Sequence, residues 1–199
     1  MTRPSALLAC LLATLFVSAC NPTSHRQDSQ PAAATVNKAR LLAADDDPGN
    51  WMTHGRTYSE QRFSPLEGIT EDNVDDLGLA WSFDFGTARG IEATSLVIDG
   101  VMYATSAWSI VHALDARTGE LLWTYDPLVP KEKAKHTCCD VVNRGVAAWE
   151  GQLFLGALDG RLIALDAKTG QVNWEVATLD ASRPYTITGA PRVVKDKVL

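Results

Sequence analysis

From Leu96 onward the chain alternates short apolar runs with polar turns. Leu96-Val97-Ile98 leads through Asp99-Gly100 into Val101-Met102-Tyr103, and Val146-Ala147-Ala148-Trp149 leads through Glu150-Gly151 into Gln152-Leu153-Phe154. Each reads as an apolar strand, an acidic-small hairpin turn and a second strand. Next come ALDARTGELLW from Ala113 to Trp123 and, 51 residues later, ALDAKTGQVNW from Ala164 to Trp174, identical at seven of eleven positions. Within this unit Val111 and Ala113 alternate into Asp115, a polar turn closes at Thr118-Gly119, and a second strand carries Leu121 and Trp123. Asp115 and Asp166 are placed to bond the amides of their own turns. Each Trp offers a large apolar area for packing between neighbouring sheets. A third copy begins at Pro191-Arg192-Val193-Val194 and runs to Val198-Leu199.

Self-similarity at this period points to a propeller or a solenoid array. The expected fold is all-β: a partial β-propeller of four-stranded blades, with repeats around 93–123 and 144–174 and a third starting near 189. Propellers close with about four to eight blades. A chain that ends within a hairpin leaves an unpaired strand edge, so the sequence is expected to be the front part of a longer protein.

Upstream, the pattern is weaker. Residues 1–19 read as a signal peptide, with Arg3 as the positive start and Ala6 to Ala19 as an uncharged apolar run. Val17-Ser18-Ala19-Cys20 resembles the lipobox of bacterial lipoproteins, which makes Cys20 the expected lipid anchor; simple cleavage after Ala19 satisfies the same small-residue rule. Residues 20–47, rich in Pro, Ala, Ser and Gln, read as a flexible linker, and 48–199 as the propeller part. Ile69 to Leu77 is predicted as a short helix with Thr70 as N-cap, and Leu79 to Phe85 as an alternating strand.

Composition narrows the class. An apolar fraction of 46% with six Trp fits a globular β protein, and a net charge of −6 without a basic cluster speaks against nucleic acid as a partner. Four Cys are present. Cys10 leaves with the signal and Cys20 lies at the extreme N-terminus, so an exported protein keeps Cys138 and Cys139, side by side. If they pair within the domain, they pair with each other. That ring is strained, because adjacent Cα atoms stand about 3.8 Å apart, below the usual disulfide range of roughly 4.4–6.8 Å. Two reduced thiols or an intermolecular bridge are the alternatives.

The stretch His136-Thr137-Cys138-Cys139-Asp140-Val141-Val142-Asn143-Arg144-Gly145 resembles the signature of the pyrroloquinoline-quinone-dependent alcohol dehydrogenases, the quinoprotein propellers. So do Gly90-Ile91-Glu92-Ala93-Thr94, Tyr185 to Pro191, and the run from Trp51 to Leu66 with Asn73, Val74, Leu77 and Trp81. The resemblance covers about 48–199 and lies nearer the soluble alcohol and quinohaemoprotein branch than the membrane glucose dehydrogenases. It implies a ring of about eight blades. It implies further that Cys138 and Cys139 form a vicinal disulfide against one face of the quinone, and that Glu92 and Thr188 meet cofactor carboxylates. Arg144 would meet a cofactor carboxylate or the quinone oxygens.

The same resemblance implies an exported, periplasmic enzyme that oxidises a small alcohol to an aldehyde with pyrroloquinoline quinone and Ca²⁺ and passes electrons to a cytochrome c. The Ca²⁺ ligands and the catalytic base are expected beyond Leu199, as is any haem c, so no catalytic and no metal residue is assigned within the chain. The alternative is a non-enzymatic propeller lipoprotein acting as an outer-membrane assembly scaffold. That class shares the lipobox and the repeat but has no use for Glu92, Cys138, Cys139, Arg144 and Thr188 together.

Overall fold

A computed structural model describes residues 34–180 and 182–199. Its frame is two four-stranded antiparallel sheets in simple up-and-down order. The first is built from β1 (Leu96–Ile98), β2 (Val101–Thr105), β3 (Val111–Asp115) and β4 (Leu121–Tyr125), and the second from β5 (Ala147–Trp149), β6 (Gln152–Gly156), β7 (Arg161–Asp166) and β8 (Val172–Ala177). A two-stranded hairpin, β9 (Val193–Val194) and β10 (Lys197–Val198), opens a third. The sequence repeat is also a repeat in register. Ala113 faces Trp123 and Ala164 faces Trp174, and each ladder then slips at the next residue, between Ala113 and Leu114 and between Ala164 and Leu165.

Local chemistry explains the hairpins. The β1–β2 turn places Asp99 and Gly100 at positive φ (52° and 83°), the β5–β6 turn does the same with Glu150 and Gly151 (46° and 78°), and β9–β10 uses Lys195 and Asp196 (49° and 59°). Two consecutive left-handed residues make the type I′ geometry whose twist matches paired strands. In the longer turns Asp115 Oδ1 accepts from the amides of Arg117 and Thr118 at 2.9 and 2.8 Å, and Asp166 Oδ1 from those of Lys168 and Thr169 at 3.0 and 2.8 Å.

The repeats are joined by tryptophans. Trp123 lies on the backbone of Gly170, so close that a Cβ there would sit 2.5 Å from the indole ring; Trp81 lies on Gly119 in the same way, also at 2.5 Å. Each indole N–H donates to the carbonyl three residues earlier in that turn, Trp123 to Ala167 and Trp81 to Ala116, both at 3.3 Å. The Tyr103 hydroxyl donates to Ala167 as well, at 3.1 Å. A Trp at the end of one repeat therefore reads the Thr-Gly turn of the next, which explains why both are retained at a fixed spacing. The shared core joins Leu96, Ile98 and Val111 of the first sheet to Leu153, Ile163 and Leu165 of the second. The outermost strand β8 is exposed throughout.

Three expectations need correction. Residues 34–47 are not a tether: Ala34 and Val36 are fully buried, the amides of Glu150 and Gly151 donate to Val36 and Ala34, and the short helix α1 (Lys38–Leu42) buries Leu41. Arg40 then ties this segment to Asp99 at 2.8 Å and to Asp47 at 3.1 Å. The helix expected over Ile69–Leu77 is a single 3-10 turn, Val74–Asp76, with no side-chain cap and no buried residue. The run Leu79–Phe85 keeps its alternation, with Trp81, Phe83 and Phe85 half-buried, but pairs with no strand among the described residues. The signal segment, Cys10 and Cys20 lie outside the described residues. Among those described, no helix is long and apolar enough to cross a membrane.

Candidate functional site

The residues leading into the first strand of each repeat are stitched side by side. The Thr94 amide donates to the Arg144 carbonyl at 3.2 Å, and the Arg144 amide donates to the Thr188 carbonyl at 2.9 Å. These three segments precede β1, β5 and β9 in turn, so equivalent positions of three repeats meet at one end of the inner strands. The close approach needs Gly145: its φ is +125°, and a Cβ there would meet the Thr94 carbonyl oxygen at 2.9 Å.

That backbone arrangement brings the expected site residues together. Arg144 forms an ion pair with Glu92, Nη2 to Oε2 at 2.9 Å, and donates from Nη1 to the Thr188 hydroxyl at 2.8 Å. Both charged side chains are only partly covered, 38% and 41% exposed, so further guanidinium N–H groups face solvent and remain free to meet a ligand's oxygens. The expectation treated Glu92, Arg144 and Thr188 as three separate contacts to a ligand. The geometry instead makes Arg144 the hub to which the other two are bound.

Cys138 and Cys139 stand beside this hub. The Cys139 thiol is pushed up by its hydrogen bond to Cys138, and it feels the opposing charges of Arg144 and Glu92. The two sulfurs lie 2.7 Å apart as free, exposed thiols. A disulfide bond is about 2.05 Å long, so the two sulfurs stand within reach of the expected ring.

What holds the site was not legible beforehand. Asn143 is buried at 1% exposure directly before Arg144. Its Nδ2 donates to the Gly156 carbonyl at 2.9 Å and to Ser109 Oγ at 3.2 Å, its Oδ1 accepts from the Gly145 amide at 3.0 Å, and its carbonyl accepts from Thr105 Oγ1 at 3.2 Å. Ser109 Oγ also takes the Leu158 amide at 3.1 Å. This polar knot spans both sheets beneath Arg144. Ser109 and its neighbour Trp108 sit at φ +62° and +66°, a conformation that costs a non-glycine residue about 1 kcal/mol or more and survives where the surroundings impose it.

Trp108 clamps the loop that carries the cysteines. Its amide donates to the Val141 carbonyl at 2.8 Å, and Lys131 places its ammonium 3.8 Å from the indole centroid. Arg89 lies 5.7 Å from the same ring and pairs with Asp140, the residue after Cys139. The only advance signal was position: Asn143 and Asp140 lie inside the motif already singled out. Among the described residues no group of three or more His, Cys, Asp or Glu is placed to hold a metal ion. The assembled chemistry is a cationic fork with a hydroxyl and a carboxylate at one edge and two polarizable sulfurs beside it. Such a donor set suits a flat molecule with several oxygens at its rim.

The family profile described as PQQ, glucose/ethanol/alcohol dehydrogenase, beta-propeller domain matches residues 51–178, more than half of the chain. The quinohemoprotein alcohol dehydrogenase ADH-IIG of Pseudomonas putida is 58% identical over 167 residues, covering 83% of this chain and 23% of that protein. The 1-butanol dehydrogenase (cytochrome c) of Thauera butanivorans is 61% identical over 152 residues, 76% of this chain and 22% of its own length. The crystal structure of quinohemoprotein alcohol dehydrogenase from Comamonas testosteroni superposes with a TM-score of 0.81 at 49% identity, over 85% of this chain and 26% of that one. The chain thus spans about a quarter of the length of these relatives.

Proposed function

The chain belongs to the PQQ-dependent glucose/ethanol/alcohol dehydrogenase β-propeller family, and on that premise we propose that it supplies one wall of the quinone site of an alcohol dehydrogenase. The observation that carries the reading is the Arg144 hub, bound to Glu92 and Thr188 with Cys138 and Cys139 alongside. The repeat alone suits a scaffold equally well; this constellation has a use only in a site.

In this reading pyrroloquinoline quinone, held with Ca²⁺, supplies the two-electron acceptor for an alcohol. The residues of this chain bind and orient. Arg144 meets a carboxylate or quinone oxygen with its unused N–H groups, and its planar fork fixes the ligand's orientation in a way a lysine would not. Thr188, whose hydroxyl already receives the Arg144 hydrogen bond, is left to donate its own proton to an oxygen of the cofactor. Glu92 holds the guanidinium and meets a cofactor carboxylate through a shared proton or a bridging water. The sulfurs of Cys138 and Cys139 would cover a ring face, and the vicinal disulfide expected of them would present it a rigid, water-excluding surface.

Substrate, partner and place in the cell follow the relatives. The substrate is a small primary alcohol and the electron acceptor a cytochrome c, as the name of the Thauera butanivorans relative states for that protein; a haem c within the same polypeptide accords with the quinohemoprotein relatives. The protein is exported to the periplasm and anchored by lipid at Cys20, a reading supported by the small residues before that cysteine. Incorporation of labelled fatty acid that disappears in Cys20→Ala tests the anchor.

The functional test is reconstitution. The purified protein is supplied with pyrroloquinoline quinone and Ca²⁺, and reduction of an artificial dye is followed with 1-butanol. Saturable quinone binding is expected of this chain, and alcohol-dependent reduction only of a polypeptide that also carries the Ca²⁺ ligands and the base. Quinone binding without any alcohol-dependent reduction restricts the chain to the cofactor site, and no quinone binding overturns the reading.

A further inference from the structure

The loop that carries Cys138 and Cys139 has little backbone to hold it. On one side Thr137 closes the 3-10 helix Lys131–His136, its amide and its hydroxyl both donating to the Ala134 carbonyl. On the other the Val141 carbonyl takes the Trp108 amide. Between those anchors Cys138, Cys139 and Asp140 make no backbone–backbone hydrogen bond among the described residues. The facing segment is as irregular: residues 87–95, which carry Glu92, join no helix or strand. Side chains must do the ordering.

Two ion pairs cross between these segments. Glu92 reaches Arg144 at 2.9 Å, and Arg89, three residues before Glu92, reaches Asp140, four residues before Arg144. The two pairs have opposite polarity. A slip of one segment along the other would set Arg89 against Arg144 and Glu92 against Asp140, and like charges brought together are costly. Only the observed pairing satisfies both. Arg89 also stands 5.7 Å from the ring centroid of Trp108, the residue whose amide holds Val141, and a planar guanidinium suits an aromatic face. Asp140 sits at φ +69°, a left-handed conformation that Asp adopts more readily than most residues.

Folding gains little from the Arg89–Asp140 pair. Its side chains are 47% and 40% exposed, and ion pairs so open to water contribute little to stability. Its effect is to order a short loop. A ligand that meets a loose loop must order it at the moment of binding, and a loop already in place spares that cost.

We propose that Arg89 is a positioning residue for the quinone site. Through Asp140 and Trp108 it holds the Cys138–Cys139 loop in register with the Arg144 hub, so its effect falls on cofactor affinity and not on stability. Its guanidinium, engaged by Asp140 and Trp108, acts through the loop and not on the cofactor. The inference rests on the quinone reading of that hub. Titration with pyrroloquinoline quinone, followed by absorbance, compares the unaltered chain with Arg89→Ala, Asp140→Asn and the double variant. Each single change weakens binding about three- to fivefold, the scale of one partly exposed ion pair. The double variant binds no worse than either, because both changes remove one link. Arg89→Lys, which keeps the charge, recovers most of the affinity. Without quinone, ¹⁵N order parameters at Cys138, Cys139 and Asp140 fall in Arg89→Ala, while the urea midpoint stays in place. Undiminished affinity in Arg89→Ala, losses that multiply in the double variant, or weaker binding with an unchanged loop overturns the proposal and leaves the reading of the hub standing. An unaltered chain that binds no quinone overturns that reading, and this inference with it.

Discussion

Replacing Gly170 by Ala tests the tryptophan joint between the repeats. Gly170 has φ +71°, and a Cβ there would stand 2.5 Å from Cε3 and 2.8 Å from Cδ2 of Trp123. Two penalties add. The left-handed conformation costs an L-residue about 1–2 kcal/mol. The methyl also lifts the indole, which breaks its 3.3 Å hydrogen bond to Ala167, worth about 1 kcal/mol, and loosens its packing. The sum is about 2–4 kcal/mol. Gly151→Ala is the control, because Gly151 has φ +78° but open space where its Cβ would lie; it incurs only the backbone penalty. Urea unfolding followed by Trp fluorescence measures both. Gly170→Ala is expected to be the less stable by at least about 1 kcal/mol. In a Trp123→Ala background that excess is expected to vanish, since the two residues are coupled. Equal destabilisation by the two glycine variants refutes the docking argument.

Other outcomes follow from the same structure. Asn143→Ala strands the Gly145 amide and the Gly156 carbonyl, which it bonds at 3.0 and 2.9 Å, and should cost about 3 kcal/mol in urea unfolding. Peptide mapping under oxidising conditions without reductant should find Cys138 and Cys139 linked to each other; two alkylatable thiols would leave the site as the structure shows it and remove the disulfide from the functional account. His112 is buried and its charged form is disfavoured by loss of water. The unfolded chain therefore binds that proton more readily, and stability is full above the ordinary histidine value of about 6.5 and falls as pH drops below it. His54 carries the same sign, so the urea midpoint should decline on acidification and decline less in His112→Gln.

The sequence carried the repeat but not what the repeat is for. Trp123 and Gly170 were visible as recurring letters, and the strands around them as alternation. That the Trp of one unit lies on the glycine of the next is a contact between repeats, which no local pattern encodes. Trp81, Phe83 and Phe85 alternate as a strand does, yet the backbone there finds no partner among the described residues, because alternation reports a buried face and not a hydrogen-bonded edge. Residues 34–47 read as a tether because their apolar anchors, Val36 and Leu41, are too sparse for a period; it is the β5–β6 hairpin that orders them. The site residues were legible through family resemblance alone. Taken singly, Glu92 and Arg144 are ordinary surface charges, and only the lateral bonds from Thr94 to Arg144 to Thr188 explain why they converge. Asn143 and Ser109 gave no signal beyond being polar in apolar company, since what makes them matter is the burial that folding creates.

The most direct test of the central claim is a titration of the protein with pyrroloquinoline quinone, followed by the quinone's absorbance and run beside Arg144→Ala. The hub bonds Glu92 at 2.9 Å and Thr188 at 2.8 Å, so its removal disperses the site as well as deleting the cation. If the cluster is the quinone site, affinity falls at least about tenfold, the scale of one charge-assisted hydrogen bond, while far-ultraviolet circular dichroism stays unchanged. Undiminished binding in a folded Arg144→Ala protein would contradict the account.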